Sequence, residues 1–343
     1  MSRMQEEIYE VPDVLGRVLD GGSPAAAEAA RLISRTEPKW IALLGRGTSG
    51  HAGLYARYLI EAYLGIPVAL VAPSITTLYS RPISSGEGLL LAISQSGQSP
   101  DLLAVLEGAR ASGIPSIAIT NDTGSLLARG SDLVIDLQAG PELSVAATKT
   151  YVASLASIAA IIGHLRPDQL STTRLPLLAS LAIESAERWI VESDVVESFS
   201  SSADALVLGR GFNLATSLEV ALKLIETTGR FTIGYSTADF EHGPLALVRD
   251  GIPVLLFESP TRHYRHSLAT KLARLGADVW SVRSDPLSEG SAGTYLNLRA
   301  DVADALSPIP FAIPGQLLAE AVATRLGLDP DAPRGLSKVT LTL

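Results

Sequence analysis

The chain has 343 residues, more than a single hydrophobic core usually supports, and this length predicts two domains of about 150 residues each. Hydrophobic residues make up 47% of the chain and aromatic residues only 5%, which favours an α/β protein with a core of Ala, Leu, Ile and Val. The net charge of −9 argues against nucleic-acid binding, and the absence of cysteine excludes disulfides, thiolate metal sites and a cysteine nucleophile.

The amino-terminal residues 1–10 are polar and acidic and contain no apolar signal-peptide core. No later stretch reaches about 18 uninterrupted apolar residues, the length that a membrane-spanning helix needs. We therefore expect a cytoplasmic protein with no membrane partner. Residues 1–36 are predicted to form a helical lead-in to the first domain.

Short β-forming runs then alternate with helical segments, at spacings too long for hairpins. This alternation predicts two doubly wound, mainly parallel five-stranded sheets, each flanked by helices. Strands of the first sheet are predicted at residues 40–44, 67–71, 88–93, 115–120 and 132–136. Strands of the second sheet are predicted at residues 204–208, 230–235, 252–257, 278–282 and 294–298. The apolar stretch 145–163 is expected to form a buried helix.

An internal repeat supports two copies of one domain. The Gly-Arg-Gly sequence at residues 45–47 recurs at residues 209–211, each time between an apolar strand and a helix. Later strands follow at the same offset, which is hard to obtain by chance. We divide the chain into the lead-in, a first domain, linking helices, a second domain and a carboxyl-terminal tail. After the lead-in, these segments are assigned to residues 37–165, 166–200, 201–327 and 328–343.

A polar loop at residues 94–99 follows the predicted strand 88–93. Open parallel sheets bind ligands at the carboxyl ends of their strands. A glycine here lets the backbone approach an anion, while amides, a helix amino terminus and three serine hydroxyls supply hydrogen-bond donors. The alternative is a serine-rich helix cap. The candidate phosphate ligands are Ser94, Gln95, Ser96, Gly97 and Ser99.

The glycine-rich turn at residues 45–50 formally matches the dinucleotide-binding fingerprint. That fingerprint expects an acidic residue after the next strand, but residues 71–75 contain no carboxylate. We therefore predict no nucleotide cofactor. Thr48 and Ser49 are interpreted as further hydroxyls that face the same small ligand.

In the second copy, Glu219, Lys223 and Glu226 share one face of a predicted helix. Taken alone, this pattern also suits a solvated stripe of ion pairs. His242 lies in a loop stiffened by Pro244, where the alternative is an exposed histidine without a role. The five histidines of the chain have no metal-site spacing, so we predict no metal.

Together these motifs resemble two tandem sugar isomerase (SIS) domains. The chain is most similar to the isomerase half of glucosamine-6-phosphate synthase and to the stand-alone SIS-type glucosamine-6-phosphate deaminase. The resemblance runs from residues 7–12 to residues 333–338. It implies a sugar phosphate as the small-molecule ligand. The residues that it implies around the phosphate and the sugar are Ser94, Gln95, Ser96, Ser99 and Ser49.

The resemblance also implies four catalytic residues. Glu226, three residues after Lys223, inherits the family's proton-shuttling role. His242 inherits ring opening and is supplied by a neighbouring subunit, which implies a homodimer with a shared active site. Lys338 inherits Schiff-base formation with the keto sugar. These roles suit the chemistry, because C1–C2 proton transfer needs a carboxylate and ring opening needs a separate acid/base such as histidine.

Two departures from the synthase bear on the reaction. The chain has no cysteine, so we expect it not to release ammonia from glutamine. Ala147 stands where the synthase has a serine that contacts the sugar, and the Ala-Ala-Thr-Lys sequence resembles that of the deaminases.

We therefore expect an amino-sugar phosphate isomerase/deaminase that converts glucosamine 6-phosphate to fructose 6-phosphate and ammonia, or the reverse. One enzyme alternative is a fructosamine-6-phosphate deglycase, and another is an aminotransferase-like isomerase domain without glutaminase. The non-enzymatic alternative is a sugar-phosphate sensor.

Overall fold

The computed structural model describes residues 1–84, 86–260, 267–284, 294–298 and 300–338. Within these residues the chain forms two parallel five-stranded sheets flanked by helices, and this confirms the predicted α/β fold. Both sheets have the same strand pattern, as the internal repeat requires. Every predicted strand lies within one residue of its observed bounds.

The first sheet has the strand order β2-β1-β3-β4-β5 and the second has the order β10-β9-β8-β6-β7. The strands of the first sheet are β1 (Trp40–Leu44), β2 (Val68–Leu70), β3 (Gly88–Ile93), β4 (Ser116–Thr120) and β5 (Leu133–Asp136). Those of the second sheet are β6 (Asp204–Gly209), β7 (Phe231–Ser236), β8 (Pro253–Phe257), β9 (Asp278–Arg283) and β10 (Thr294–Asn297).

Helices connect and flank these strands. Before the second sheet they are α1 (Arg3–Tyr9), α2 (Val11–Asp20), α3 (Ser23–Thr36), α4 (Gly47–Leu64), α5 (Pro73–Thr77), α6 (Pro100–Ala111), α7 (Leu126–Gly130), α8 (Lys149–Leu165), α9 (Leu175–Glu192) and α10 (Val195–Ser201). The remaining helices are α11 (Asn213–Thr228), α12 (Thr237–Phe240), α13 (Ser267–Arg274) and α14 (Pro308–Arg325).

The chain folds into two compact units that are discontinuous in sequence. The β1–β5 unit contains Asp13–Glu142, Lys149–Arg174 and the tail from Ser337. The β6–β10 unit contains Met1–Pro12, Leu143–Thr148 and Leu175–Leu336. Each unit has its own sheet and its own core. The five-segment division made from the sequence stays a proposal.

The core of the β1–β5 unit lies on both faces of its sheet. All residues of β3 and β4 are buried, as expected of central parallel strands. On one face, Leu90 and Ala92 of β3 pack with Leu102, Val105 and Leu106 of α6. Helix α8, whose residues from Lys149 to Ile162 are all buried, packs against α3 and α4.

Helix α8 begins at Lys149, so the prediction of a helix from residue 145 is wrong at its start. The residues before it use their backbone amides elsewhere. The amides of Leu143 and Ser144 donate to the buried Glu7 carboxylate, and the amide of Val145 donates to the Asp331 carbonyl. Because these amides are held by distant residues, the segment Leu143–Thr148 is fixed as a non-helical connection that bends at residues 144–146.

The core of the β6–β10 unit is centred on α14, against which α9, α10 and α11 pack. Gly315 of α14 lies against Val220 of α11, where an added Cβ would come within 2.8 Å of Val220 Cγ1, so only glycine allows this close approach. Among the described residues, Asp304–Arg325 has the length and composition of a spanning helix, but 94% of its most apolar 18-residue window is buried inside the protein, as in a core helix.

The amino terminus is anchored in the same unit. The backbone amides of Arg3 and Met4 donate to the Asp331 carboxylate at 2.8 Å each. The Ser2 hydroxyl accepts from the amide of Gln5 and donates to Glu320 on α14. The first two amides of helix α1 are therefore satisfied by a residue more than 300 positions away in the chain, and the next amide by the Ser2 cap.

Candidate functional site

The polar loop that follows β3 is built around Gly97. The Ser94 hydroxyl accepts from the amide of Gly97 at 3.1 Å and closes the turn. Gly97 has φ = +60°, and an added Cβ would lie 2.6 Å from Ser125 Cβ. Only glycine combines this backbone conformation with this close approach.

The loop carbonyls point into the protein. The carbonyl of Gln95 accepts from the amide of Asn121 at 3.1 Å, and the carbonyl of Gly97 accepts from the amide of Leu127 at 3.2 Å. The carbonyl and the following amide of a trans peptide point in opposite directions. The amides of Ser96 and Gln98 are therefore directed away from these partners, as an anion-binding loop requires.

The helix-cap alternative does not account for Ser99. This residue is the N-cap of α6, but its side chain makes no capping hydrogen bond. Ser99, Ser96 and Gln95 are half-buried, so their polar groups stay accessible to a small ligand. Their contact with phosphate remains a prediction.

The first Gly-Arg-Gly turn reaches the same sheet edge, because β1 and β3 are neighbouring parallel strands. Helix α4 begins at Gly47, which has φ = +49°, and Thr48 and Ser49 form its half-buried first turn. An added Cβ at Gly45 would lie 2.8 Å from the carbonyl oxygen of Ser49. The turn therefore needs glycine to bring the amino terminus of α4 to this edge.

Arg46, between these glycines, forms an ion pair that the sequence analysis missed. Its Nε and Nη2 atoms lie 2.8 and 2.6 Å from Oδ2 of Asp101. Asp101 is fully buried in the first turn of α6, and its Oδ1 accepts from the amide of Leu102 at 2.9 Å. The pair joins the residue before α4 to the start of α6. An arginine in one turn and an aspartate in the other were the only signals in the sequence.

Lys338 also belongs to the β1–β5 unit. Its Nζ donates to Oε2 of Glu142 at 2.9 Å. The Glu142 side chain is fully buried and accepts from the backbone amide of Thr150 at 3.0 Å and from its hydroxyl at 2.8 Å. Glu142 is a second residue that the sequence analysis did not assign to the site, since nothing in the sequence pairs it with a lysine 196 positions away.

The acid/base residues lie in the β6–β10 unit. Lys223 on α11 donates to Oε2 of Glu226 at 2.5 Å and lies 3.4 Å from Oε1 of Glu219. The side chains of Glu219 and Lys223 are fully buried, so the alternative of a solvated stripe is wrong. Glu226 keeps 20% of its side chain exposed. It is thus the member of this triad that a substrate can reach.

His242 is exposed in the turn after α12, and its amide donates to the Asp239 carbonyl at 3.0 Å. The adjacent Glu241 pairs with Lys271 at 2.6 Å. The hydrogen bond and charge of Lys271 lower the pKa of Glu241, with a smaller contribution from the charge of His242. The exposed position suits both a histidine offered to another subunit and a histidine without a role.

Glu226 lies toward the amino ends of the strands of its sheet, whereas His242 lies at their carboxyl ends. Helix α11 starts after the carboxyl end of β6, and Glu226 is in its last turn, about 20 Å along the helix. His242 instead follows the carboxyl end of β7, the strand that begins after α11 ends. One copy of this unit therefore holds the two side chains apart.

Ala147 is half-buried in Leu143–Thr148, the segment fixed by Glu7. The carbonyl of Thr148 accepts from the side chain of Gln316 on α14 at 3.2 Å. The structure thus groups Thr48, Ser49, the 94–99 loop and Lys338 in one unit, and Ala147, Lys223, Glu226 and His242 in the other. In the described part of the chain, no three His, Asp or Glu side chains are placed to hold a metal ion.

The chain matches the SIS domain model twice, over residues 36–163 and 198–319. The chain belongs to the SIS domain family. This SIS protein is 33% identical over 341 residues to the glutamine–fructose-6-phosphate aminotransferase of Methanothermobacter thermautotrophicus, covering 98% of this chain and 56% of that protein. The SIS chain thus spans a little over half the length of its curated relatives.

Solved SIS structures share the fold. The carboxyl-terminal domain of glucosamine-fructose-6-phosphate aminotransferase from Francisella tularensis is 28% identical, with a TM-score of 0.84, covering 97% of this chain and 98% of that one. A glucosamine-6-phosphate deaminase from Thermotoga maritima is similar in fold at 23% identity, with a TM-score of 0.79, covering 99% of this chain and all of that one. The names of all three relatives contain a sugar phosphate.

Proposed function

We propose that this SIS protein is an amino-sugar phosphate isomerase/deaminase that interconverts glucosamine 6-phosphate with fructose 6-phosphate and ammonia. The observation that carries this proposal is the Glu219–Lys223–Glu226 triad. A buried ammonium holds two carboxylates, and only Glu226 reaches solvent. A sensor would gain nothing from keeping a charged triad at this desolvation cost, whereas a proton shuttle needs a positioned carboxylate.

In the proposed reaction, His242 donates a proton to the ring oxygen and removes one from the C1 hydroxyl, which opens the sugar to its aldehyde. Glu226 removes the C2 proton and returns it to C1. A second proton passes through solvent from the C2 nitrogen to the C1 oxygen, so the C2 amine becomes an imine and the C1 aldehyde becomes an alcohol. Lys338 attacks C2 and displaces ammonia, and water then releases the ketone. Each proton taken is returned.

Lys338 must be neutral when it attacks. Its ammonium contacts Glu142 directly, and this buried carboxylate can accept the proton that the lysine loses. We propose Glu142 as the residue that positions Lys338. The phosphate group is assigned to the 94–99 loop with Thr48 and Ser49, and no metal or organic cofactor is part of the scheme.

The separation of Glu226 from His242 along α11 and β7 supports a homodimer in which His242 serves the partner's substrate. We propose a dimer on this basis, and the cytoplasmic location stays a proposal that rests on the composition of the amino terminus alone. In a mixture of Glu226→Gln and His242→Asn chains, each heterodimer would regain one complete site. Activity recovered on mixing two inactive variants supports the shared site, and activity that never recovers in mixed dimers contradicts it.

A second candidate is an isomerase that aminates fructose 6-phosphate with ammonia supplied from elsewhere. The relatives favour it, because they are aminotransferases of which this chain spans little more than half. This reaction uses the same residues in reverse. The ratio of forward to reverse kcat/KM is fixed by the equilibrium constant, so the KM for free ammonia is the deciding measurement. Amination that saturates at low ammonia supports the second assignment, and amination that does not saturate supports the deaminase.

The primary test incubates the purified chain with glucosamine 6-phosphate and follows ammonia and fructose 6-phosphate. In deuterated water the product should carry deuterium at C1 only to the extent that the protonated Glu226 exchanges with solvent before it returns the proton. Glu226→Gln should lower kcat about 100-fold or more and leave fructose 6-phosphate binding intact. Glu184→Gln, an exposed glutamate paired with Arg188 on α9, is the matched control and should stay active.

Other results of this assay would identify the alternative functions, a deglycase or a sensor. Turnover of fructosamine 6-phosphates alone identifies a deglycase, and binding without turnover of any of these compounds identifies a sensor. Absence of product from glucosamine, galactosamine and fructosamine phosphates would refute the enzyme proposal. Full activity in Glu226→Gln would show that another group moves the proton.

A further inference from the structure

The Arg46–Asp101 pair lies where the two polar turns of the β1–β5 unit meet. Arg46 is the residue before α4, whose first turn carries Thr48 and Ser49. Asp101 follows the 94–99 loop by two residues, in the first turn of α6. Both helices begin at the carboxyl edge of neighbouring strands. The guanidinium therefore lies beside both helix amino termini.

The burial of the two partners differs. Asp101 is fully buried, whereas 52% of the Arg46 side chain is exposed. Both measured contacts go to Oδ2 through Nε and Nη2, so one edge of the planar guanidinium is fixed on the carboxylate. The rest of its surface faces solvent at the mouth of the loop. Such an anchored, half-exposed arginine is pre-organised to bind an oxyanion.

The charges of Arg46 and Asp101 bear directly on whether this position can bind a phosphate. A phosphate at the 94–99 loop would lie close to the negative charge of buried Asp101, and serine hydroxyls and amides carry no full positive charge to offset it. Arg46 supplies that charge from the adjacent turn. Because Arg46 offsets the charge of Asp101, the phosphate dianion is not repelled from this position.

The second copy of the repeat differs from the first directly after its third strand. Glu258 follows β8 at the position that Ser94 holds after β3, and among the described residues its buried carboxylate has no hydrogen-bond partner. Arg210, the second Gly-Arg-Gly arginine, is exposed and helps to lower the pKa of Glu241. A buried carboxylate in place of the Ser94 hydroxyl disfavours an anion at this position of the second copy.

We propose that Arg46 is a specificity-determining residue that contacts the substrate phosphate, with Asp101 as the residue that orients it. This inference rests on the proposed function, since it assigns a cation to the same phosphate site. It goes further in assigning to Arg46 the selection of phosphorylated over unphosphorylated sugars. Loss of one charge-assisted contact should weaken phosphate binding about 10- to 100-fold.

The test measures fructose 6-phosphate and inorganic phosphate binding by calorimetry. Arg46→Met should weaken both ligands about 10- to 100-fold, and Arg46→Lys, which keeps the charge without the planar fork, should lie between Arg46→Met and the parent chain. Arg57→Met is the matched control, because Arg57 lies on the same helix in an exposed pair with Glu61. It should bind like the parent chain.

The double variant Arg46→Met/Asp101→Asn separates direct contact from simple neutralisation of Asp101. Binding that stays weak in this variant supports a direct contact, and recovery to the parent affinity overturns it. Unchanged binding in correctly folded Arg46→Met or Arg46→Lys also overturns the inference. If the parent chain binds neither ligand, the proposed function itself fails, whatever the variants do.

Discussion

Replacing Lys223 by methionine should destabilise the β6–β10 unit through charge rather than through lost packing. Methionine keeps most of the aliphatic stem in a site with no exposed side-chain surface. What disappears is the ammonium that lies 2.5 Å from Glu226 and 3.4 Å from Glu219. Removing one member of a buried ion pair typically costs about 3–5 kcal/mol, because the remaining charge is left without compensation.

Glu219 carries most of this cost, because its side chain is fully buried while that of Glu226 is partly exposed. For a unit of this size, 3–5 kcal/mol corresponds to a drop of roughly 10 °C in the unfolding midpoint. Differential scanning calorimetry measures it. Arg188→Met breaks a pair with the same sequence spacing on the surface of α9 and should lower the midpoint by no more than about 2 °C.

A second substitution tests the charge explanation. The double variant Lys223→Met/Glu219→Gln removes the buried negative charge as well. Its unfolding midpoint should recover at least half of the decrease caused by Lys223→Met, although neither variant restores the ion pair. If Lys223→Met unfolds within 2 °C of the Arg188→Met control, or if the double variant is no more stable than the single one, the reasoning about a buried, charge-coupled triad is refuted.

Three further outcomes follow from the described geometry. Gly97→Ala should weaken fructose 6-phosphate binding about tenfold or more, measured by calorimetry, and wild-type affinity would show that the left-handed turn is dispensable. Glu142→Gln should lower kcat with little change in KM, since Lys338 loses the ionic partner that positions it; an unchanged kcat, or a loss confined to KM, contradicts the positioning role. Lys271→Met should raise the pKa of Glu241 toward 4.5 by NMR titration. Because that pKa is lowered in the folded chain, its contribution to stability is present above pH 4.5 and disappears as the pH falls through the folded pKa. An unmoved titration would show that Lys271 is not the cause.

The strands were predictable because they are central or paired parallel strands with uniform apolar runs bounded by glycine and polar residues. Such local signals are sufficient to fix strand position. The internal repeat further predicted that the two sheets share one strand pattern. The start of α8 was not predictable, because the residues before it are held by Glu7 and Asp331 from the two ends of the chain.

The candidate site shows the same limit. Helical spacing placed Glu219, Lys223 and Glu226 on one face but did not reveal whether that face is buried. The packing of α11 on α14 buries that face, and this contact could not be read from the sequence. Arg46–Asp101 and Glu142–Lys338 were missed because each joins residues far apart in sequence, and neither partner has an unusual local pattern.

The discontinuous units have a consequence for how the chain reaches its folded state. During synthesis, Met1–Pro12 emerges long before its partners on α14 and at Asp331. The β6–β10 unit therefore cannot be completed until more than 300 residues separate the two ends of its contacts, whereas most of the β1–β5 unit is available once α8 and the following turn have emerged. The first sheet should therefore form earlier than the second, and the closure of so long a loop should make completion of the second unit slow.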